Sequence, residues 1–240
     1  MTPPNSPPDM AHRLPDTPPS AVVFDLDGVL LDTTENMRHA FAAVWAAAGR
    51  PRAAPFETFL THMGAPLHVI LEKFSLPAEY APVYAAASSA RLDLVHPYPG
   101  VTEVLRALRG AGVPVGVATG KSHQRAVEAL RSGGLFELLD VVVGSDQVSV
   151  PKPDAEILHT ALSLLPGPAA ASAVFVGDSV LDLRCGRAAG VPTIAAGWGQ
   201  SSRRTLLAEA PDAYAGAPLD LPGLFAVPLP EADRREVPVG

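Results

Sequence analysis

The chain has 240 residues, and its 48% hydrophobic share is enough for one sizeable core with a smaller insertion. A net charge of −7 argues against a nucleic-acid partner, because phosphate backbones are held by basic patches. The single cysteine, Cys185, excludes an internal disulfide and favours a packed core position.

The termini have compositions typical of tails. Residues 1–20 hold seven prolines and lack the apolar stretch of a signal peptide, so we expect a disordered tail there. We also expect a frayed tail at residues 227–240, where prolines and acids accumulate. No apolar run approaches the ~20 residues that cross a bilayer. We therefore expect a cytoplasmic protein without a membrane partner.

The first predicted strand, residues 21–25, ends in two carboxylates. Asp25 and Asp27 are two residues apart, so on an extended chain both side chains point the same way. Two like charges repel each other and lose hydration, which a bound cation or a retained proton must offset. This pair predicts an active site at the end of the strand.

The next segment, residues 33–97, has helical patterns and no strong strand. Apolar side chains repeat on one helix face over residues 35–49, and residues 66–74 and 79–92 also favour helices. In open α/β sheets, ligands bind outside the carboxyl ends of the strands. We therefore expect a helical cap domain over Asp25 and Asp27, with hinges at residues 32–34 and 97–100.

Strands and helices alternate through the rest of the chain. Strands are predicted at residues 114–119, 140–143, 173–177, 192–195 and 212–215, with helices between them at 101–110, 122–131, 154–164 and 181–189. The pattern predicts an α/β fold with a Rossmann-like parallel sheet covered by helices on both faces. Its core domain would comprise residues 21–32 and 98–226, with the cap at 33–97.

Three further strand ends carry polar groups. Thr119 and Gly120 open a helix, whose N-terminal N–H groups favour an anion. Lys152 lies between two prolines before another helix. Asp178 ends the fourth strand, and Asp182 follows four residues later. Carboxylates at the first and fourth strand ends make a hard oxygen site that suits Mg²⁺.

Lysine is rare in this chain, which has 15 arginines and only three lysines. A lysine in such a background marks either a place where a compact ammonium suits better than a planar guanidinium, or a leftover surface position. For Lys121 two interpretations stay open: it contacts the substrate, or it is a solvated lysine in the first turn of its helix.

Four motifs in this order resemble the haloacid dehalogenase-like (HAD) superfamily, in its phosphoglycolate phosphatase-like branch with a helical cap. The first is Asp-x-Asp-Gly-Val-x-x-Asp from Asp25, followed by Thr119, by Lys152 with its proline, and by Gly-Asp-x-x-x-Asp around Asp178. The match spans residues 22–199. A finer resemblance is to phosphatases associated with aminohydroxybenzoate biosynthesis, which would imply a role in antibiotic biosynthesis.

The resemblance implies a covalent mechanism. Asp25 would attack phosphorus and form an aspartyl phosphate. Asp27 would protonate the leaving oxygen and later activate water, while its backbone carbonyl binds Mg²⁺. Asp178 would complete the metal site, and Asp182 would orient that site without binding the ion.

The same resemblance assigns the phosphate contacts. Thr119 and the Gly120 amide would hold phosphoryl oxygens. Lys152 would neutralise Asp25 and the transferring group. In the cap, Arg38 and His62 are candidates for contacts with the substrate, against the favoured alternative that each is a plain surface side chain. Three aromatic residues are predicted cap core: Phe41, Trp45 and Phe74.

The predicted function is hydrolysis of a small phosphomonoester of the sugar, aminosugar or glycolate type. Asp27 argues against a dehalogenase, which has no leaving oxygen to protonate. Met37 lies near the position of a histidine that the resemblance implies for mutases. A phosphonatase would need a Schiff-base lysine in the cap, and Lys73, the only lysine there, lacks the surroundings of one. A sugar-phosphate mutase of the β-phosphoglucomutase type and a non-catalytic HAD-like binding protein stay open as alternatives.

Overall fold

The core of the computed structural model, which describes residue 14 and residues 16–229, is a six-stranded parallel sheet. The strands of the chain are β1 Val22–Phe24, β2 Leu31–Asp32, β3 His96–Pro97, β4 Val115–Ala118, β5 Val141–Val143, β6 Val174–Gly177, β7 Thr193–Ala196 and β8 Ala213–Ala215. The sheet order is β5-β4-β1-β6-β7-β8, and every pairing in it is parallel.

Ten helices accompany these strands in the described residues. They are α1 Thr34–Ala47, α2 Phe56–Leu60, α3 Leu67–Lys73, α4 Ala81–Ser89, α5 Val101–Gly110, α6 His123–Ser132, α7 Glu156–Leu164, α8 Val180–Ala188, α9 Arg203–Ala208 and α10 Leu221–Leu224. The predicted α/β fold with an inserted helical segment is confirmed. The short helices α2, α9 and α10 were not predicted, because each is too short to show a clear helical repeat.

β1 is a central strand whose two faces feed two apolar clusters. Val22 and Phe24 pack into the cluster that includes α5, whereas Val23 packs into the cluster that includes α7. This alternation follows from the two-residue period of a strand. β1 pairs with β4 and with β6, so the carboxyl ends of these three strands meet at one edge of the sheet.

The four helices α1 to α4 form the insert, residues 33–97, between β2 and the end of β3. β2 and β3 pair antiparallel, with Leu31 opposite Pro97 and Asp32 opposite His96. The insert has its own apolar cluster, in which Phe41, Trp45 and Phe74 take part as predicted. Its division from the core as a separate domain, with the limits given above, stays a prediction.

The turn after β1 requires a glycine. Gly28 has a φ of +84°, and a Cβ there would lie 2.2 Å from Oδ2 of Asp178. Only a residue without a side chain adopts this backbone and admits the neighbouring carboxylate. The turn therefore brings the end of β1 against the end of β6.

Part of each predicted tail packs on the core. Leu14 and Val227 are buried in the main apolar cluster, and the Ser20 hydroxyl donates to the carbonyl of Ala169 at 2.8 Å. Burial of the apolar side chains at these positions is favourable because it removes their surface from water. The rest of the predicted tails lies outside the described residues. Cys185 is fully buried, as predicted. None of the described helices combines the length and apolar character needed to cross a membrane.

Candidate active site

Lys152 is the centre of a buried network at the carboxyl edge of the sheet. Its Nζ lies 2.9 Å from Oδ1 of Asp25 and 2.6 Å from Oδ1 of Asp182, and it donates to the carbonyl of Ala118 at 3.2 Å. These contacts join the ends of β1 and β4 to the first turn of α8. Three predicted site residues, Asp25, Lys152 and Asp182, are thus in direct contact.

The charges in this network shift one another's protonation. Burial raises the pKa of Asp25 to about 7; Asp182 adds to the rise, and Lys152 opposes it. Burial alone would lower the pKa of Lys152, but the carboxylates of Asp182 and Asp25 raise it overall. The ammonium therefore stays charged, although its side chain has no contact with solvent.

Three buried carboxylates could hold a metal ion here. One oxygen each of Asp25, Asp178 and Asp182 lies within 4.8 Å of the others. Burial raises the pKa of Asp178 well above its usual range, and the charges of Asp182 and Asp25 add to this. Clustered carboxylate oxygens suit a hard divalent cation, which would offset the repulsion among them. The residues present therefore fit the Mg²⁺ that the sequence predicts.

Both carboxylate oxygens of Asp182 contact other groups of the protein. Oδ1 contacts Lys152, and Oδ2 accepts hydrogen bonds from the backbone N–H and the hydroxyl of Ser179, at 3.0 and 2.5 Å. The Ser179 hydroxyl in turn accepts from the Asp182 N–H and caps α8. The geometry makes Asp182 an anchor for Lys152 at the start of α8.

Asp27 has a different environment from Asp25. Its Oδ1 accepts a hydrogen bond from the Thr33 hydroxyl at 2.7 Å, and its Oδ2 lies 3.1 Å from Nζ of Lys121. Asp25 therefore lies among carboxylates beside Lys152, while Asp27 lies between a hydroxyl and a second lysine. Two acids that are two residues apart in sequence have separate partners.

The interpretation of Lys121 as a solvated surface lysine is wrong. Its side chain is 5% exposed, because the Asp27 carboxylate draws it into the site. Burial lowers the pKa of Lys121; Asp27 opposes that effect, and the nearby charge of Arg125 adds to it. The residue therefore belongs to the interior of the site, as its other interpretation expects.

The turn between β4 and α6 contacts the insert closely. Thr119 is buried, and its hydroxyl accepts a hydrogen bond from the Lys121 N–H at 3.2 Å. A Cβ on Gly120 would lie 2.5 Å from the carbonyl oxygen of Gly64 and 3.0 Å from that of Ala65. The glycine therefore lets the insert approach the predicted phosphate-binding turn.

Two cavities adjoin these residues. The narrow cavity, about 30 Å³, lies between Asp25, Asp27 and Thr119 on one side and the insert on the other. Pockets for drug-sized ligands commonly measure about 300–1,000 Å³, so this cavity is narrow for a phosphomonoester. The wide cavity, about 820 Å³, lies on the other side of the network and is lined by Lys152 and Asp178.

The two insert candidates differ in position. His62 lines the wide cavity. Arg38 lies outside both cavities: it pairs with Glu35 at 3.2 Å and Glu57 at 3.4 Å, and its guanidinium lies over the Phe56 ring. The structure does not bring Arg38 into the site, because two nearby acids hold it on the surface.

Sequence reasoning missed Arg125, which lines the narrow cavity. It lies in the first turn of α6, whereas Lys121 precedes the N-cap Ser122 and is outside the helix. Its guanidinium is 4.9 Å from the ring centre of Tyr84. No sequence signal distinguished this residue among the 15 arginines.

Comparisons with known proteins agree with this geometry. Residues 22–196 match the family described as haloacid dehalogenase-like hydrolase. A protein of Dickeya dadantii named "Probable phosphatase IndB" is 35% identical, over 79% of this chain and 86% of its own. A plasmid-encoded phosphoglycolate phosphatase of Cupriavidus necator is 33% identical, over 87% of this chain and 94% of its own. A solved haloacid dehalogenase-like hydrolase of Streptococcus pneumoniae, SP0104, superposes with a TM-score of 0.74 at 25% identity, covering 88% and 99% of the two chains.

Proposed function

The chain belongs to the haloacid dehalogenase-like hydrolases, and from that premise we propose that it is a Mg²⁺-dependent phosphatase. It hydrolyses a small phosphomonoester through an aspartyl-phosphate intermediate on Asp25. The observation that carries the proposal is the separation of the two acids. Asp25 lies 2.9 Å from Lys152, while Asp27 is held by Thr33 and Lys121.

The first half-reaction transfers the phosphoryl group to the protein. A carboxylate oxygen of Asp25 forms a bond to phosphorus as the bond to the leaving oxygen breaks. Asp27 donates its proton to that leaving oxygen. In the second half-reaction, Asp27 removes a proton from water, which attacks the phosphorus and releases inorganic phosphate and free Asp25.

The surrounding residues offset the negative charge of this reaction. Lys152 neutralises Asp25 and the transferring group, and the Thr119 hydroxyl and Gly120 amide hold phosphoryl oxygens. Asp25, Asp178 and the backbone carbonyl of Asp27 would hold Mg²⁺, which when bound supplies further positive charge beside the phosphoryl group. Asp182 keeps Lys152 in place through its 2.6 Å contact.

The substrate is small, of the glycolate, sugar or aminosugar phosphate type. A relative of similar length that is named phosphoglycolate phosphatase supports this, whereas the narrow cavity over Asp25 does not set the size of the substrate. The insert moves away to admit the substrate, since the cavity is too small for it as it stands. A role in aminohydroxybenzoate or antibiotic biosynthesis stays a prediction of the finer sequence resemblance.

A phosphatase is favoured over a mutase by the side chain of Met37. This residue lines the narrow cavity near the place where the resemblance implies a histidine in mutases, and His39, two residues later, is exposed. A thioether carries no proton at neutral pH, so it does not supply acid–base chemistry there. The non-catalytic alternative is disfavoured because all the motif acids are present, and Asp25 and Asp182 both contact Lys152.

The test is phosphate release from p-nitrophenyl phosphate, with Mg²⁺ or with EDTA. The wild type should turn over only with Mg²⁺, and Asp25→Asn should lower kcat by at least ~1,000-fold because the nucleophile is lost. Asp93→Asn is the matched control, since Asp93 is an exposed acid paired with Arg91. Turnover that persists in EDTA or in Asp25→Asn would contradict the mechanism. Conversion of a hexose 1-phosphate to its 6-phosphate, without release of phosphate, would favour the mutase.

A further inference from the structure

We propose that Arg125 is a specificity-determining residue, which binds a second anionic group of the substrate beside the phosphoryl group. The inference rests on the proposed phosphatase function and deepens it. The second group is a carboxylate or a phosphate, because both offer two oxygens to the planar fork of a guanidinium.

Arg125 has one buried donor without an acceptor inside the molecule. Its Nε is buried and has no hydrogen-bond partner, and among the described residues Arg125 forms no salt bridge. A buried donor that leaves water without finding a partner is unfavourable, and more so when it carries charge. Native proteins rarely keep such a group unless something else satisfies it.

Four arginines elsewhere in the described residues show what a partnered guanidinium looks like. Arg38, Arg91 and Arg184 pair with acids, and Arg109 donates to the carbonyl of Glu137. Arg125 contacts the face of the Tyr84 ring, and the Tyr84 hydroxyl is a hydrogen-bond partner of its guanidinium, but the buried Nε has no partner. Burial raises the pKa of the Tyr84 hydroxyl, and Arg125 opposes that rise. The ring therefore stays neutral and does not compensate the charge.

The charge around Arg125 favours an anion. Its neighbour Lys121 is already paired with Asp27 at 3.1 Å, so that carboxylate is taken. Arg125 also lies in the first turn of α6, where the positive end of the helix dipole disfavours a cation. One uncompensated positive charge therefore faces the narrow cavity.

Arg125 is placed to bind a substrate group other than the transferred phosphoryl group. The phosphoryl group already has Thr119, Gly120 and Lys152. Arg125 shares its side of the cavity with Lys121, which holds the acid that protonates the leaving oxygen. An anionic group on the leaving part of the substrate would reach it. The insert side of the cavity is apolar there, lined by Met37, Phe59 and Ile70.

The experiment compares two substrates of nearly equal size. 2-Phosphoglycolate carries a carboxylate, and 2-hydroxyethyl phosphate carries a neutral hydroxyl in its place; pyrophosphate tests a phosphate as the second group. The wild type should prefer an anionic substrate. Arg125→Met should lower kcat/KM for it by about 10- to 100-fold, the loss of one charged hydrogen-bonded contact. The neutral substrate should change by less than about threefold, and Arg125→Lys should restore part of the preference.

Arg131→Met is the matched control. Arg131 lies on the same helix and over an aromatic ring, that of Phe136 at 4.7 Å, but it does not line the narrow cavity. Its substitution should leave the ratio of the two kcat/KM values unchanged. An equal loss for charged and neutral substrates in Arg125→Met would mean a structural role only and would overturn the inference.

The two proposals fail in different ways. If the wild type hydrolyses p-nitrophenyl phosphate but shows no preference for an anionic substrate, the inference about Arg125 is wrong and the phosphatase stands. If it hydrolyses none of these esters with Mg²⁺, the phosphatase itself is wrong, and the inference falls with it.

Discussion

The two sides of the narrow cavity differ in composition and in what they do. The core side, formed by strand ends, carries Asp25, Asp27 and Thr119, each in contact with a polar partner within 3.2 Å. The insert side carries Met37, Phe59 and Ile70, which offer only apolar surface. Under the proposed mechanism, the core side holds the groups that react, and the insert side holds the groups that exclude water.

This difference has an electrostatic consequence. Apolar side chains over the site reduce the local dielectric, so each ionic contact on the core side is stronger than it would be in water. Changes to Asp25, Asp27 or Lys152 on the core side should therefore act on every substrate, whereas a change to Arg125 should act only on substrates with a second anionic group. Changes to the insert should act through its fit against the core, and changes on its outer surface should have little effect.

The largest effect is expected for Lys152→Met. Removing the ammonium leaves Asp25 and Asp182 buried without a counterion, so kcat/KM should fall by at least ~1,000-fold for every phosphomonoester. The free energy of unfolding should fall by about 3–5 kcal/mol, because an uncompensated buried charge remains. Turnover assays and thermal unfolding of the purified protein measure both.

The same substitution at Lys73 is the control. Lys73 is an exposed lysine on α3, and Lys73→Met should change kcat/KM by less than about threefold. Lys152→Arg should fail as Lys152→Met does, because a planar guanidinium cannot replace one nitrogen with three contacts within 3.2 Å. Full activity in Lys152→Arg would mean that any positive charge suffices at this position and that the compact ammonium is not required.

An intermediate effect is expected where the two sides meet. Gly120→Ala places a Cβ 2.5 Å from the carbonyl oxygen of Gly64, so the insert must move back. We expect kcat/KM to fall by about 10- to 100-fold, since a small misplacement of closing elements is costly to catalysis. Gly110→Ala is the control, because a Cβ on that glycine meets no atom within 4 Å. Equal activity of the two variants would mean that close approach of the insert is not needed.

The smallest effect is expected for Arg38→Ala on the outside of the insert. Its ion pairs with Glu35 and Glu57 are exposed, and such pairs contribute about 0–1 kcal/mol to stability. Activity should stay within about twofold of the wild type for charged and neutral substrates. A selective loss for one substrate would show that Arg38 reaches the substrate when the insert moves.

The core side was predictable from local rules. Apolar strands ending in Asp25 and Asp178 lie in a parallel sheet, and parallel strands bring their carboxyl ends to one edge. The rarity of lysine also pointed to Lys121 and Lys152, although it did not distinguish them from Lys73. β1 pairs directly with β4 and β6, so the meeting of their end residues follows from strand pairing alone and needs no knowledge of side-chain packing.

The rest depends on contacts between segments far apart in sequence. The pair of Lys121 with Asp27 joins residues 94 positions apart, and the contact of Arg125 with Tyr84 joins the core to the insert. The ribbon of β2 and β3 has two residues in each strand, too few for a periodic signal. These features depend on tertiary packing and leave no local pattern.

That ribbon has a consequence for how this architecture diversifies. The chain leaves the core at Leu31 and returns opposite it at Pro97, so everything between them is attached at one place. Segments whose two ends lie side by side can be lengthened or exchanged with little disturbance to the fold that carries them. A graft of a foreign helical segment between β2 and β3 would thus bring a new binding surface to an unchanged set of reacting groups. Substrate range and chemistry can then evolve separately in this protein.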